Sequence, residues 1–263
     1  MLSFSRHLDL LAHDTMRVIG ALRSTDPTAR VPGCPDWQAA DLITHLIEMN
    51  DVWGWLVASR PSDFTEGYEA VAIPEGHRDR LDLLDATNHQ LVEALRESGP
   101  DQSVCYFGDS APAARAARLM AVETLVHSRD AEESAALRAT PIQQDVAVDA
   151  VDQQLGHLSD DGSALWRTEA VRVASTDTGD SWTVMVAAEN GDGTLRLTDQ
   201  GRVGAHVSAP AAVLVPWLFA RSHDTSLVVE SGSPELIYDL HLALGHDVVP
   251  VGPSAQQRRW WRR

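Results

Sequence analysis

The sequence predicts an α+β protein, with an N-terminal four-helix bundle followed by a smaller α+β domain. Three observations carry this reading. Apolar residues recur at helical spacing in four stretches of roughly twenty residues in the first half. The texture changes after about residue 163, where alternating and β-rich runs are separated by turn signals. The helical stretches are divided by segments rich in proline and glycine, which punctuate secondary structure. A chain of 263 residues can bury two cores of this kind. The expected domains are residues 1–160 and 161–263.

The first helix is expected over residues 5–24, with Leu8, Leu11, Thr15, Val18, Ile19 and Leu22 on one face. The segment TDPTARVPGCPDW breaks it. Asp36 is the expected N-cap of a second helix over 37–58, with Leu42, Leu46, Met49 and Trp53 as its apolar face. A long loop over 60–76 leads to a third helix over 77–98, striped by Leu81, Leu84, Leu91 and Leu95. The segment SGPDQSVCYFGDSAP reads as a loop before a fourth helix over about 112–137. One further helix over 142–158 is expected to lead out of the bundle. RTEAVRVAST and SWTVMVAA then read as strands joined by the turn TDTGD, and LRLTD and GAHVS continue that character. Helices are expected over 209–222 and 233–244, with the strand LVVES between them.

Composition narrows the possible functions. The formal net charge is -17, and all 21 basic residues are arginine. Such a surface repels phosphate backbones, so no nucleic-acid partner is expected. No apolar run approaches the ~18 residues of a membrane span. The start, MLSFSRHLDLLAHD, reads as an amphipathic helix and not as a signal peptide. A cytoplasmic location is therefore expected. Cys34 and Cys105 are expected to be reduced thiols, with Cys34 in a structured turn and Cys105 inert. No phosphate-cradling glycine loop, nucleophile elbow or CxxC pair is present. The cationic, aromatic end QQRRWWRR reads as an ordinary tail on an acidic protein.

The strongest local feature is AVETLVHSRDAE in the fourth helix. Glu123 and His127 are four residues apart, so they share a helix face. His45 shares the apolar face of the second helix. In a bundle, inward groups from different helices converge, and metal sites are built that way. Two histidines and one glutamate form a catalytic zinc ligand set with one position open, and the same set can hold iron, manganese or nickel. Spacing alone leaves two other readings open. Glu123 and His127 could be a solvated surface pair, and His45 a satisfied core histidine.

VPGCPDWQAADLITHL at 31–46 and RAARLMAVETLVHSRDAE at 115–132 together resemble the mycothiol-dependent maleylpyruvate isomerase family. That family belongs to the DinB/YfiT-like group of metal-binding four-helix bundles. HVSAPAAVLVPWLFAR at 206–221 resembles the family's C-terminal domain more weakly. The resemblance implies a DinB-like bundle in which His45, Glu123 and His127 hold a divalent metal, typically Zn2+. It also implies mycothiol, the small thiol of actinobacteria, as cosubstrate. The lysine-free, alanine-rich composition fits such a source.

The implied activity is isomerisation or S-conjugation of a small electrophile. A metal-dependent hydrolase and a non-catalytic metal- or ligand-binding protein are the alternatives. Asp130 is either an orienting partner of a ligand or a packing carboxylate. Arg118 pairs with an anionic substrate or with a neighbouring acid. Arg221 binds a substrate carboxylate, or it is a helix-terminal arginine helped by the dipole. The pocket is expected where the metal end of the bundle meets the second domain. His77, His89, His157, His206, His223, His241 and His246 have no ligand-like partner in sequence and receive no role.

Overall fold

A computed structural model describes residues 1–62, 67–158, 165–189, 192–221 and 226–246. His223 and the QQRRWWRR tail lie outside the described residues. No helix among the described residues is long and apolar enough to cross a membrane.

The chain divides into two compact units, Leu2–Thr140 and Pro141–Arg263. In the first unit, α1 is Phe4–Leu22, opened by the Ser3 hydroxyl, which accepts from the Arg6 amide. Its buried face holds all six residues expected from the periodicity. The next segment is where expectation and structure differ. Arg30–Val31 (β1) and Cys34–Gln38 (β2) pair as an antiparallel hairpin. Asp36 is thus an exposed strand residue and not an N-cap. The second helix, α2, is Ala39–Ser59, and the Gln38 amide donates to the Asp41 carboxylate at 2.8 Å. The cap moved because Asp41 supplies the acceptor at the helix start.

Helix α3 is His77–Ser98, matching the expected span. The segment read as a loop contains a second hairpin, Ser103–Tyr106 (β3) with Asp109–Pro112 (β4). Its two turn residues, Phe107 and Gly108, have φ of 53° and 90°. Positive φ at both central positions is the two-residue turn that matches strand twist. Helix α4 is Ala113–Ser134.

The helix directions follow from contacts. One apolar cluster joins Ile19 and Leu22 at the end of α1, Leu42 and Ile43 at the start of α2, Leu81 and Leu84 at the start of α3, and Ala131 at the end of α4. At the same end, the His77 ring bonds the Leu22 carbonyl at 2.8 Å. So α1 and α4 run toward this end, and α2 and α3 run away from it. The long 60–76 connection is what allows α2 and α3 to be parallel. Gly54 of α2 faces the Leu91 backbone of α3, where a Cβ would make an ordinary contact of 3.6 Å with the Leu91 Cα.

The second unit opens with α5, Gln144–His157. This is the helix expected to lead out of the bundle. It groups with the second unit, which begins at Pro141. Its partners explain this. It packs on α6, Ala211–Leu218, and the Trp182 indole donates to Asp152 at 3.0 Å. The sheet comprises Glu169–Ser175 (β5), Ser181–Glu189 (β6), Asp192–Leu197 (β7), Arg202–Ala209 (β8) and Val229–Gly232 (β9). Its order is β7-β6-β5-β8-β9, with only β5 and β8 parallel. Trp182, Val184 and Val186 are buried at period two, as a half-buried strand requires. Helix α7, Pro234–Ala243, covers β6 and β7. The mixed α+β architecture expected from the sequence is the one observed.

Candidate metal centre

The stripe that buries α2 carries His45 inward beside Leu42 and Leu46. On α4, Glu123 and His127 are one turn apart and point at it. His45 is 6 % exposed and His127 2 %. The His45 Nε2 lies 3.2 Å from Glu123 Oε1, and the His127 Nε2 lies 3.1 Å from the same oxygen. The three potential ligand atoms all fall within 4.8 Å of one another. The structure therefore brings together the three residues singled out from sequence.

Each group has a distinct electrostatic setting. Burial would raise the Glu123 carboxyl, but the hydrogen bonds and charge of His127 and His45 hold it well below its ordinary value. It is a carboxylate at neutral pH. Burial lowers His45 and outweighs its bond to Glu123, so that ring favours the neutral form. Burial would also lower His127, but hydrogen bonds to Asp130 and Glu123 prevail and raise it. Asp130 Oδ2 lies 2.8 Å from His127 Nδ1. That contact directs a proton to Nδ1 and so leaves Nε2 as the lone-pair side of the neutral ring, as outer carboxylates do for histidine ligands.

The donor chemistry fits a divalent cation. Two imidazole nitrogens and a carboxylate oxygen converge from two helices, and three protein ligands leave room for a further ligand. Cys34, His127 and Asp130 form a second group within the same distance of one another. It fits less well, because His127 Nδ1 is already the donor to Asp130.

The sequence did not reveal what the β1–β2 hairpin contributes. Trp37 places its indole 4.9 Å from the His45 ring and 5.7 Å from the His127 ring, nearly parallel to the latter at 20°. The Cys34 thiol donates to Asp130 Oδ2 at 3.9 Å. Short extended segments have no helical period, so no spacing signal pointed to either residue.

Arg118 is half-buried on α4. Arg221 follows α6 in the second unit and donates to the Phe219 carbonyl at 2.8 Å. Cys105 is buried in β3, and neither cysteine is in a disulfide. His241 and His246, given no role from sequence, contact each other and Trp217.

Residues 8–132 match the family model described as the mycothiol maleylpyruvate isomerase N-terminal domain. Two solved structures share the fold. One is the mycothiol-dependent maleylpyruvate isomerase, 16% identical, with a TM-score of 0.54 over 88% of this chain and 95% of that one. The other is a histidine-to-alanine variant of the mycothiol-dependent maleylpyruvate isomerase, with the same identity and coverage and a TM-score of 0.58. No functionally curated protein matches the sequence.

Proposed function

We propose, from the match of residues 8–132 to the mycothiol maleylpyruvate isomerase N-terminal domain, that the chain is a divalent-metal-dependent enzyme that uses a small thiol to isomerise or S-conjugate a small electrophile. The observation that supports this most is the convergence of His45 Nε2, Glu123 Oε1 and His127 Nε2 in one buried group. The thiol is mycothiol and the cation Zn2+ in this reading, which follows the family for the first and the donor set for the second.

A divalent cation bound there supplies the charge that deprotonates a thiol and keeps its sulfur nucleophilic. The protein residues have separate tasks. His45 and His127 each present Nε2, and Glu123 brings the negative charge that offsets a cation. Asp130 holds the His127 ring in one tautomer and orientation. Burial of both rings keeps water away from the donor atoms. The thiolate adds to the conjugated cis double bond of the substrate, the new single bond rotates, and elimination returns the trans product and the thiol. If the adduct is released instead, the reaction is S-conjugation.

The test is turnover of maleylpyruvate with and without mycothiol, by wild type and by His127→Ala. The proposal expects thiol-dependent turnover that the variant loses. Turnover without thiol would instead identify a hydrolase in which water takes the place of sulfur. Binding of metal without turnover of thiol and electrophile would identify a non-catalytic binding protein. Arg221 is assigned a substrate carboxylate. Arg221→Met should raise KM while kcat and metal content stay unchanged, and an unchanged KM contradicts that role.

A further inference from the structure

The two imidazoles of the candidate centre are fixed in different ways. His127 is anchored at both nitrogens, with Asp130 on Nδ1 and Glu123 on Nε2. His45 has Glu123 on Nε2. A histidine ligand ordinarily has its far nitrogen held by a carboxylate, carbonyl or water, and that contact sets the ring orientation. What lies against the His45 ring is the Trp37 indole, 4.9 Å away and tilted by 48°. The two imidazoles are themselves edge to face, with centroids 4.9 Å apart and planes at 68°. One indole therefore touches both rings and bears on the angle between them.

Trp37 is well placed to hold a fixed position. It sits on β2, one residue before Gln38, whose backbone pairs with Arg30 of β1 and whose amide donates to Asp41. The indole also packs on the apolar cluster formed by the ends of all four bundle helices. Its backbone and its side chain are thus both restrained by contacts independent of the histidines.

We infer that Trp37 is a positioning residue, whose contact with both imidazole rings sets the orientation in which both Nε2 atoms meet a cation. The inference rests on the metal reading given above. It assigns Trp37 no contact with thiol or substrate. Loss of the flat ring lets the His45 ring rotate about its side-chain bonds, and the donor atoms no longer converge without an entropic cost.

The experiment measures zinc affinity of the purified full chain by competition with a chromogenic chelator. It compares wild type, Trp37→Leu and Trp37→Phe, with thermal melting of each metal-free protein alongside. Trp37→Leu keeps apolar bulk and loses the plane, and it should bind zinc about tenfold to a hundredfold more weakly, the usual cost of losing an outer partner of a ligand. Trp37→Phe restores a plane and should recover most of the affinity, with melting close to wild type. A Trp37→Leu protein that melts normally and binds zinc as tightly as wild type overturns the inference.

Tryptophan emission provides a second reading that needs no destabilising variant. Zinc should change the emission of wild type, and that change should be absent in Trp37→Phe. A wild type that binds zinc with no change in emission also overturns the inference. A wild type that binds no zinc in the chelator assay overturns the metal reading itself, and the role of Trp37 falls with it.

Discussion

Glu123 and Glu132 are both largely buried carboxylates on α4, and their partners differ in kind. Glu132 accepts from Arg17 Nε at 3.1 Å and Nη2 at 2.9 Å, and from the Thr140 amide and hydroxyl at 2.7 Å each. Arg17 also donates to Asp14 at 2.7 Å, so α1, α4 and the end of the first unit are clasped together. Arginine, amide and hydroxyl groups keep their protons throughout the neutral range. Glu123 is partnered by two imidazoles, which give up a proton near neutrality and then offer lone pairs. The first arrangement closes a structure, and the second can exchange protons for a cation. Both side chains are similarly shielded from solvent, so the donor type is what separates a clasp from a binding site.

Substitutions should separate the two in order of effect. The largest is His127→Ala, which removes a donor atom. Metal affinity should fall by more than the roughly tenfold to hundredfold typical of outer partners, and thiol-dependent turnover should vanish. Arg17→Met should do the reverse. It leaves Asp14 and Glu132 facing one another without their cation, at a cost of roughly 3 kcal/mol in denaturant unfolding, with metal content unchanged. Equal effects of both variants on metal content would erase the distinction drawn here.

Asp130→Asn is a smaller change that sharpens the comparison. It keeps the shape but weakens the acceptor on His127 Nδ1, so zinc binding should weaken about tenfold to a hundredfold in a chelator competition, with stability nearly unchanged.

The smallest effect concerns pH. Burial would raise Glu132, but Thr140 and Arg17 hold it below its ordinary value of 4.5. A lowered folded-state pKa stabilises the fold above the unfolded-state value, and that contribution disappears as pH falls through the folded-state value. The stability gap between wild type and Glu132→Gln should therefore be full near neutrality and close below about pH 4.5. Asp14 is shifted the other way, upward by burial, and is common to both proteins. A gap that is constant in acid would contradict the clasp.

The bundle was readable because its helices carry long leucine stripes. Leu81, Leu84, Leu91 and Leu95 alone placed α3, and the observed span is the expected one. The two short hairpins were not readable. The β3–β4 turn uses Phe107-Gly108, which lacks the Asn-Gly or Asp-Gly signal of such turns. CPDWQ looked like the approach to a helix, since Asp36 is a good local cap and only the Asp41 contact shows that the helix starts later. The site divides along the same line. The spacing of Glu123 and His127 is a property of one helix and could be seen directly. The approach of His45 depends on how α2 and α4 cross, and the positions of Trp37 and Cys34 depend on a strand with no period to reveal it.

The central claim is that His45, Glu123 and His127 form a metal site. Metal content measured by plasma mass spectrometry on untagged protein, wild type beside His127→Ala, tests it most directly. The account predicts about one equivalent of divalent metal per wild-type chain, as one three-ligand site requires, and its loss in the variant. Wild type that holds no metal even after incubation with zinc, or a variant that retains it, would contradict the claim.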